Sequence, residues 1–440
     1  MPRRPHLSDV LSLHRLPGVP DVFHRVRIPD DLDAATTRGA EEEPEAAGLD
    51  SETVERIWEG AVSLYRTGVH PGLSLCVRRE GKVVIDRAIG HARGNGPDDP
   101  EDVPKVPMRP DTPACIFSAS KAVTAMVVHQ LDERGLLHIG DRVSEYIPEY
   151  AQNGKEGTTI AHVLAHRAGV ASMPKEAREL DSLIDADRIL QLICKSKPAI
   201  RPGRLLAYHA VSGGFILGEI VKRVTGKSIR DVLAEEILDP LGFRWGNYGV
   251  AEEDVGEVAP SYVTGPPLLP PLSTLATRVL GAPLDEVVEA SNDPRFLTAV
   301  IPSATVVTSA NELGRFFEIF RAGGEMDGVR VMQERTIRRA LTEQSHLEID
   351  FSLFFPTRFS YGLMLGADWV SLYGRDTDLA FGHLGLINIM GWADPERAIS
   401  VGLITTGKAI VYPELPRFYG VMSRISSEVP KIEEPGWLKG

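Results

Sequence analysis

A serine and a lysine stand three residues apart at the point where a helix is predicted to begin. Ser118 follows the short apolar run 115–117. Apolar residues with helical spacing come next, at Val123, Met126, Val127 and Leu131. Residues at i and i+3 share one helix face, so Lys121 can lie against the Ser118 hydroxyl. A desolvated lysine can take the proton of a serine, and the free N–H groups and dipole of a helix start favour an oxyanion.

This pair has alternatives in the sequence. The same spacing recurs at Ser172 and Lys175, where Pro174 interrupts any helix, so two common residues also meet this way by chance. Ser118 can also be an ordinary helix N-cap, a position that serine favours. The local sequence leaves both interpretations of Ser118 open.

Composition narrows the classes of protein. A chain of 440 residues is long for one core, so we expect two lobes or one domain with an insertion. The net charge of −13, with no basic stripe, argues against nucleic acid as a partner. Three scattered cysteines are too few for a disulfide framework or a zinc site. No stretch is apolar enough for a membrane span or a signal peptide, so we expect a cytoplasmic protein without a membrane span.

The chain pattern predicts an α+β protein. Residues 1–50 read as a partly flexible extension, followed by a helix over 51–66 and a hairpin of strands 72–79 and 82–90. Helices are predicted at 119–135, 159–167, 185–194, 209–224, 228–238, 310–321, 332–343 and 414–427. Strands return at 360–367, 386–393 and 399–405.

This order implies one sheet built from both ends of the chain. We expect a sheet domain from 51–117 and 290–440, a helical subdomain at 118–289 and an active site between them. The proline-rich residues 259–273 are predicted to form a linker or a loop at the pocket rim.

Two further motifs can complete a serine–lysine site, which needs a second proton-handling group and a second oxyanion donor. Tyr208 follows the turn Pro202-Gly203. The run Phe381-Gly382-His383-Leu384-Gly385 precedes an apolar strand.

In this order the motifs resemble those of the penicillin-recognising serine hydrolases, most closely class C β-lactamases, D-alanyl-D-alanine carboxypeptidases and family VIII carboxylesterases. Stretches 159–169 and 301–313 also resemble the family, and the resemblance spans roughly residues 52–425. It implies a β-lactamase/transpeptidase-like fold: an antiparallel sheet flanked by helices, an α/β sandwich, with an inserted all-helical subdomain. No metal or cofactor is expected.

The resemblance also implies roles for single residues. Ser118 would be acylated, and Lys121 and Tyr208 would share the role of base. The backbone N–H groups of Ser118 and Leu386 would form the oxyanion hole. His383, followed by Gly385, would take the place that is often lysine in β-lactamases, where it could orient Tyr208 or the leaving group.

Two differences between this sequence and the family's motifs favour an ester as the substrate. Ala210 stands where the family has an asparagine, and Leu384 stands where it has a hydroxyl. Both changes remove groups that would hold a carboxylated amide such as a β-lactam. Aromatic residues before His383, together with His209, are candidates for a substrate pocket or for ordinary core and sheet cover: Phe351, Phe354, Phe355, Tyr361, Trp369, Tyr373.

A mechanistic rival and two weaker patterns remain. Residues 210–214, around Ser212, resemble the nucleophile elbow of α/β-hydrolases, with His383 as the candidate histidine. His162 and His166 have the spacing of zinc ligands, but the glutamate of the metalloprotease motif is absent. Residues 405–408 resemble a reversed lysine-threonine-glycine motif and read as a turn.

The sequence therefore predicts a serine hydrolase that cleaves small carboxylic esters through an acyl-enzyme. The alternatives are an amide hydrolase of the β-lactamase or D-alanyl-D-alanine carboxypeptidase type, an acyltransferase, and a scaffold that has lost activity. A homo-oligomer is compatible with the sequence.

Overall fold

The computed structural model describes residues 23–386, 388–410, 412 and 415–433, with the side chain of Lys175 left aside. The strands are β1 (Thr36–Arg38), β2 (Gly72–Arg79), β3 (Lys82–Arg93), β4 (Val106–Pro107), β5 (Ala114–Cys115), β6 (Asn247–Tyr248), β7 (Val306–Thr308), β8 (Glu325–Met326), β9 (Val329–Arg330), β10 (Ser345–Ile349), β11 (Pro356–Phe359), β12 (Met364–Leu365), β13 (Phe381–Gly385), β14 (Ile389–Asp394) and β15 (Ile399–Thr405).

Helices separate these strands along the chain. They are α1 (Ser51–Tyr65), α2 (Ser120–Glu133), α3 (Val143–Tyr146), α4 (Ile160–Leu164), α5 (Leu180–Leu183), α6 (Ala186–Lys195), α7 (Ser212–Thr225), α8 (Ile229–Leu233), α9 (Leu272–Leu280), α10 (Leu284–Ala290), α11 (Pro294–Thr298), α12 (Ala310–Arg321), α13 (Glu334–Ala340) and α14 (Leu415–Glu428). A 3-10 turn over Phe117–Ala119 leads into α2.

One antiparallel sheet joins the two ends of the chain, as the sequence predicted. Its strand order is β1-β3-β2-β15-β14-β13-β12-β11-β10, and β4 pairs with β3. The predicted β2–β3 hairpin turns at Glu80 and Gly81, which both have positive φ, and Arg79 pairs with Lys82. Two left-handed residues make a two-residue turn that follows the twist of the strands.

Helices cover both faces of this sheet. Helix α12 packs closely against β15, where a Cβ on Gly402 would lie 2.1 Å from the Ala310 carbonyl oxygen. Helices α1 and α14 pack against each other on the opposite face, over a core that includes Trp58, Trp392 and Phe418. The predicted α+β sandwich with an antiparallel sheet is confirmed.

The region between the two halves of the sheet is mainly helical, with one difference from the prediction. Strand β6 lies inside residues 118–289 and pairs with β7, which in turn pairs with β5. The insertion is therefore not all helical, because residues 247–248 extend this small sheet beside the start of α2. The domain bounds given above stay a prediction.

Residues 23–50 of the N-terminal extension are partly built into the fold. Strand β1 pairs with β3, and Arg87 of β3 is buried between Glu41, at 2.7 Å, and Glu55, at 2.8 Å. The short turn Pro44–Ala47 follows β1. Residues 1–22 lie outside the described residues.

Other segments also differ in detail from the prediction. The run 381–385, predicted to precede a strand at 386–393, is itself strand β13, and the predicted strand 360–367 is reduced to β12 after a turn. The proline-rich segment is anchored at Tyr262, whose N–H donates to the Thr406 carbonyl at 2.9 Å, and it ends where α9 begins. Among the helices of the described ranges, none combines the length and the apolar character that crossing a lipid bilayer requires.

Candidate active site

Ser118 sits at the junction of β5 and α2. It lies in the 3-10 turn that precedes the helix, directly after Phe117, whose φ of +47° is left-handed. A left-handed non-glycine residue is strained and needs support from its surroundings. The side chain of Ser118 does not cap α2, whose N-cap position is Ala119. The N-cap interpretation is therefore wrong, and the Ser118 hydroxyl is available for another partner.

That partner is Lys121. Its Nζ lies 3.0 Å from Ser118 Oγ and donates to the Ser303 carbonyl oxygen at 3.1 Å. The lysine is 8% exposed, and burial lowers the pKa of its side chain to about 7. Near neutral pH a large fraction of Lys121 is thus a free amine, which can accept a proton from the serine.

Tyr208 brings a phenol to the same serine. Its hydroxyl is hydrogen-bonded with Ser118, and its ring centre lies 5.0 Å from Lys121 Nζ. Burial raises the pKa of Tyr208 well above its usual value, an effect larger than the opposing hydrogen bond with Ser118. The phenol therefore stays protonated at neutral pH and is suited to donate a proton.

Asp350 fixes the loop that carries Tyr208, a contact that the sequence did not indicate. The Tyr208 N–H donates to Asp350 Oδ1 at 3.1 Å, and the N–H groups of Ser352 and Leu353 donate to the same oxygen. Asp350 is fully buried, and its carboxylate links residues 142 positions apart in the chain. No local pattern could have shown this pairing.

The end of strand β13 lies against the segment that precedes Ser118. A Cβ on Gly385 would lie 2.1 Å from the Ile116 carbonyl oxygen, so only glycine lets β13 approach the segment before Ser118. Leu386 has a left-handed φ of +34°, and it borders the same cavity as Ser118. Leu386 and the serine turn therefore border one cavity.

His383 lies on β13 near Tyr208, with the two ring centres 6.3 Å apart. Its Nδ1 donates to the Leu384 carbonyl oxygen at 2.8 Å, so Nε2 is an acceptor, and this atom is buried without a hydrogen-bond partner in the described part of the chain. Burial lowers the pKa of His383 to about 3, helped by the charge of Lys121. The imidazole is therefore neutral, unlike the lysine that often takes this place in β-lactamases.

A cavity of about 290 Å³ opens in front of Ser118. Its floor and sides are mostly apolar, from Phe117, Met173, Leu180, Leu183, Val287 and Phe296. The corner between α9 and α10 covers one side. A cavity of this size and character suits an apolar acyl chain.

The predicted aromatic pocket is not what surrounds this cavity. Trp369, Phe351, Phe354 and Phe355 are 78%, 46%, 55% and 40% exposed, because they lie in surface turns on either side of the buried segment 357–367. Tyr373 is fully buried against Trp392 and donates to the Met364 carbonyl oxygen. None of these residues borders the cavity in front of Ser118.

Two remaining candidates lie on another side of the site. The Tyr361 carbonyl accepts a hydrogen bond from His129 Nε2 at 2.9 Å, and the residue packs against the helical core. His209 is fully buried and borders a small cavity behind Lys121. Neither one borders the larger cavity.

The rival patterns do not form a second site. Ser212 is the first residue of α7, it is fully buried, and its hydroxyl donates to the Val170 carbonyl at 2.5 Å. His162 receives the Thr159 N–H and completes the N-terminal cap of α4, while His166 contacts His209. The elbow interpretation of Ser212 is therefore wrong.

Comparisons with known proteins agree with the fold. The model of the Beta-lactamase family matches residues 52–414. Esterase/beta-lactamase LipL of Mycobacterium tuberculosis is 28% identical over 393 residues, which cover 83% of this chain and 84% of that protein. A solved family VIII carboxylesterase is 26% identical, with a TM-score of 0.72 over 86% of this chain and 98% of that one. A penicillin-binding protein homologue from Caulobacter crescentus is 25% identical, with a TM-score of 0.73 over 87% and 99%.

Proposed function

The chain belongs to the Beta-lactamase family, and from this premise we propose that it is a serine hydrolase that cleaves carboxylic esters through an acyl-enzyme intermediate. The observation that carries the proposal is the 3.0 Å contact between Ser118 Oγ and a buried Lys121 amine, with the Tyr208 phenol on the same oxygen. The named relatives with esterase activity support the same class of substrate.

Acylation begins with proton transfer from Ser118 to Lys121. The serine oxygen bonds to the ester carbonyl carbon, the Ser118 O–H bond breaks, and Lys121 Nζ becomes an ammonium. The carbonyl oxygen takes the negative charge and accepts hydrogen bonds from the backbone N–H groups of Ser118 and Leu386. The apolar acyl chain occupies the cavity in front of Ser118.

Tyr208 completes this half of the reaction. As the tetrahedral intermediate collapses, the bond to the ester oxygen breaks and the alkoxide receives a proton from the Tyr208 hydroxyl. Lys121 returns its proton to Tyr208, which restores both groups. A water molecule then attacks the acyl-enzyme by the same route and releases the acid and Ser118.

The departures at Ala210 and Leu384 support an ester rather than an amide. The Ala210 methyl cannot hydrogen-bond Lys121 or a substrate amide, and Leu384 packs against apolar neighbours of β13. An alkoxide leaves more readily than an amine, so an ester needs fewer polar contacts in the transition state. We expect loss of such contacts to cost an amide substrate about 1–3 kcal/mol of binding each.

The test is a panel of nitrophenyl esters with acyl chains of two to ten carbons. Wild type is expected to hydrolyse them, and Ser118→Ala is expected to lose this activity while keeping its thermal unfolding temperature. A folded wild-type protein that hydrolyses no ester of the panel would refute the proposal.

A second candidate is a β-lactamase, which the similarity to Esterase/beta-lactamase LipL favours. Turnover of nitrocefin with a higher kcat/KM than the best ester would establish it. Excess alcohol that diverts the acyl group to a new ester would instead indicate an acyltransferase. A folded protein whose Ser118 is not labelled by a fluorophosphonate would be an inactive scaffold.

A further inference from the structure

A second, much smaller cavity lies behind Lys121. Its volume is about 20 Å³, enough for one water molecule, and every residue that borders it is buried. Its polar members are Lys121, Thr124, His166, His209 and Ser303. Of these, only Ser303 also borders the cavity in front of Ser118, and Lys121 borders the smaller cavity but not the larger one.

His209 presents a hydrogen-bond acceptor in this region. Its backbone N–H donates to His166 Nδ1 at 3.2 Å, and its Nδ1 lies 3.3 Å from the same atom. Because His166 Nδ1 accepts, the proton of the neutral His209 ring is on Nδ1, and its Nε2 carries a lone pair. This Nε2 is buried and has no hydrogen-bond partner among the residues that the structure describes, and such an acceptor is costly to leave unpaired.

Lys121 has an N–H group that can act as the donor toward this acceptor. Its Nζ lies 3.0 Å from Ser118 Oγ, where the lone pair of the free amine can accept the serine proton, and it donates one hydrogen to the Ser303 carbonyl oxygen. Its second N–H remains. After the amine takes the serine proton, the ammonium still has a donor beyond its contacts with Ser118 and Ser303. Lys121 and His209 both border the small cavity, so one water molecule there can reach both side chains.

We propose that His209 is a positioning residue for Lys121, and that one water molecule in the small cavity accepts a hydrogen bond from Lys121 Nζ and donates one to His209 Nε2. The inference rests on the proposed function, since it concerns the lysine that activates Ser118. It gives the site a substitute for the asparagine contact that Ala210 cannot make. The water and His209 hold the amine in place and stabilise the ammonium as it forms.

The charged and titratable groups around Lys121 give this contact a distinct signature. Tyr208, His166, His209 and His383 face the lysine, and burial lowers the pKa of each histidine, which keeps all three neutral. Removing the acceptor destabilises the ammonium form of Lys121. The pH at which the lysine loses its proton must then fall, together with its strength as a base.

The experiment measures the rate of fluorophosphonate labelling at Ser118 between pH 5 and pH 10. His209→Phe keeps a ring but lacks the acceptor. We expect its labelling rate to be about 10-fold lower on the high-pH plateau, and we expect the rise to that plateau to occur at lower pH than in wild type. His209→Gln keeps an acceptor and should restore both quantities to within about threefold. His129→Phe, another buried histidine with an unpartnered nitrogen, is the control and should leave the pH profile unchanged.

If folded His209→Phe is labelled at the wild-type rate, and if that rate rises at the same pH as in wild type, the inference is overturned. If that variant does not fold, a crystal structure of wild type decides the question: density for a water between Lys121 Nζ and His209 Nε2 supports the inference, and its absence at high resolution overturns it. Labelling without hydrolysis of any ester would refute the proposed substrate but not this inference. A folded wild type that is not labelled refutes the proposed function itself.

Discussion

The Tyr208 N–H donates to Asp350 Oδ1 at 3.1 Å, and this contact ties the phenol loop to a turn 142 residues further along the chain. The same oxygen receives the N–H groups of Ser352 and Leu353. One buried carboxylate thus sets the position of Tyr208 relative to Ser118, without touching the serine turn itself.

Asp350→Ala removes all three acceptor contacts and should affect both stability and activity. Net hydrogen bonds of about 0.5–1.5 kcal/mol each lead us to expect a loss of about 2–4 kcal/mol in unfolding free energy. We expect kcat for esters to fall about 10- to 100-fold as the phenol loses its position. Asp350→Asn keeps one carbonyl acceptor and should lose less of both. Urea unfolding and ester kinetics check this, and equal losses in the two variants would contradict it.

The pH dependence of hydrolysis should identify the base. Because the base must be unprotonated, kcat/KM rises with pH through the pKa of Lys121, about 7, and then levels off. Tyr208→Phe should lower the plateau about 100-fold or more but keep the rising limb, since the phenol is protonated throughout this range. Loss of the limb in Tyr208→Phe would instead assign the role of base to the tyrosine.

Lys121→Met should be inactive and should also change how stability depends on pH. Burial lowers the pKa of Lys121 from 10.5 in the unfolded chain to about 7 in the folded protein. Between these values the unfolded state binds one more proton, so unfolding free energy rises with pH by up to about 1.4 kcal/mol per unit. Below pH 7 both states are protonated and the folded protein bears the full cost of the buried ammonium.

Lys121→Met has no buried ammonium and does not bear this cost, so at pH 7 its unfolding free energy should exceed that of wild type. This difference should shrink as pH rises from 7 to 10. Lys408 is also buried with its pKa lowered to about 7, but its contribution is the same in both proteins and cancels. Urea unfolding at several pH values measures the difference. Parallel curves for the two proteins would show that Lys121 is not desolvated as described.

The cavity in front of Ser118 should set the acyl-chain preference. A cavity of about 290 Å³ has room for an acyl chain of medium length. Each buried methylene adds about 0.8 kcal/mol, or about fourfold in kcat/KM, up to that length. Ala290→Phe, which fills the cavity, should lower activity on octanoyl esters more than 10-fold and leave acetyl esters nearly unchanged.

Ala276→Phe is the matched control, because Ala276 lies on the neighbouring helix α9 and borders a different cavity. Its chain-length profile should equal that of wild type. If both substitutions alter the profile alike, the acyl chain does not enter the cavity in front of Ser118.

What the sequence could predict depended on how local each feature is. Ser118 and Lys121 are three residues apart, so helix geometry alone brings them together, and the β2–β3 hairpin follows from Glu80-Gly81. Strand β13 was missed because two glycines and a histidine weaken its apolar pattern. The contact of Asp350 with Tyr208 comes from chain segments that only the folded protein brings together.

The aromatic stretch before His383 shows what composition alone does not predict. Aromatic residues there suggested a pocket, but composition does not say which way a loop turns, and Trp369 is largely exposed while Tyr373 is fully buried. The cavity is formed instead by aliphatic and single aromatic residues of separate elements, such as Phe117 and Val287. Such a cavity has no continuous signal in the sequence.

The most direct test of this account is intact-mass detection of an acyl-enzyme formed with a slowly hydrolysed ester, followed by peptide mapping. We expect one acyl group per chain on Ser118, and none on folded Ser118→Ala. An adduct on Ser212 or another residue, or turnover that persists in Ser118→Ala, would contradict it.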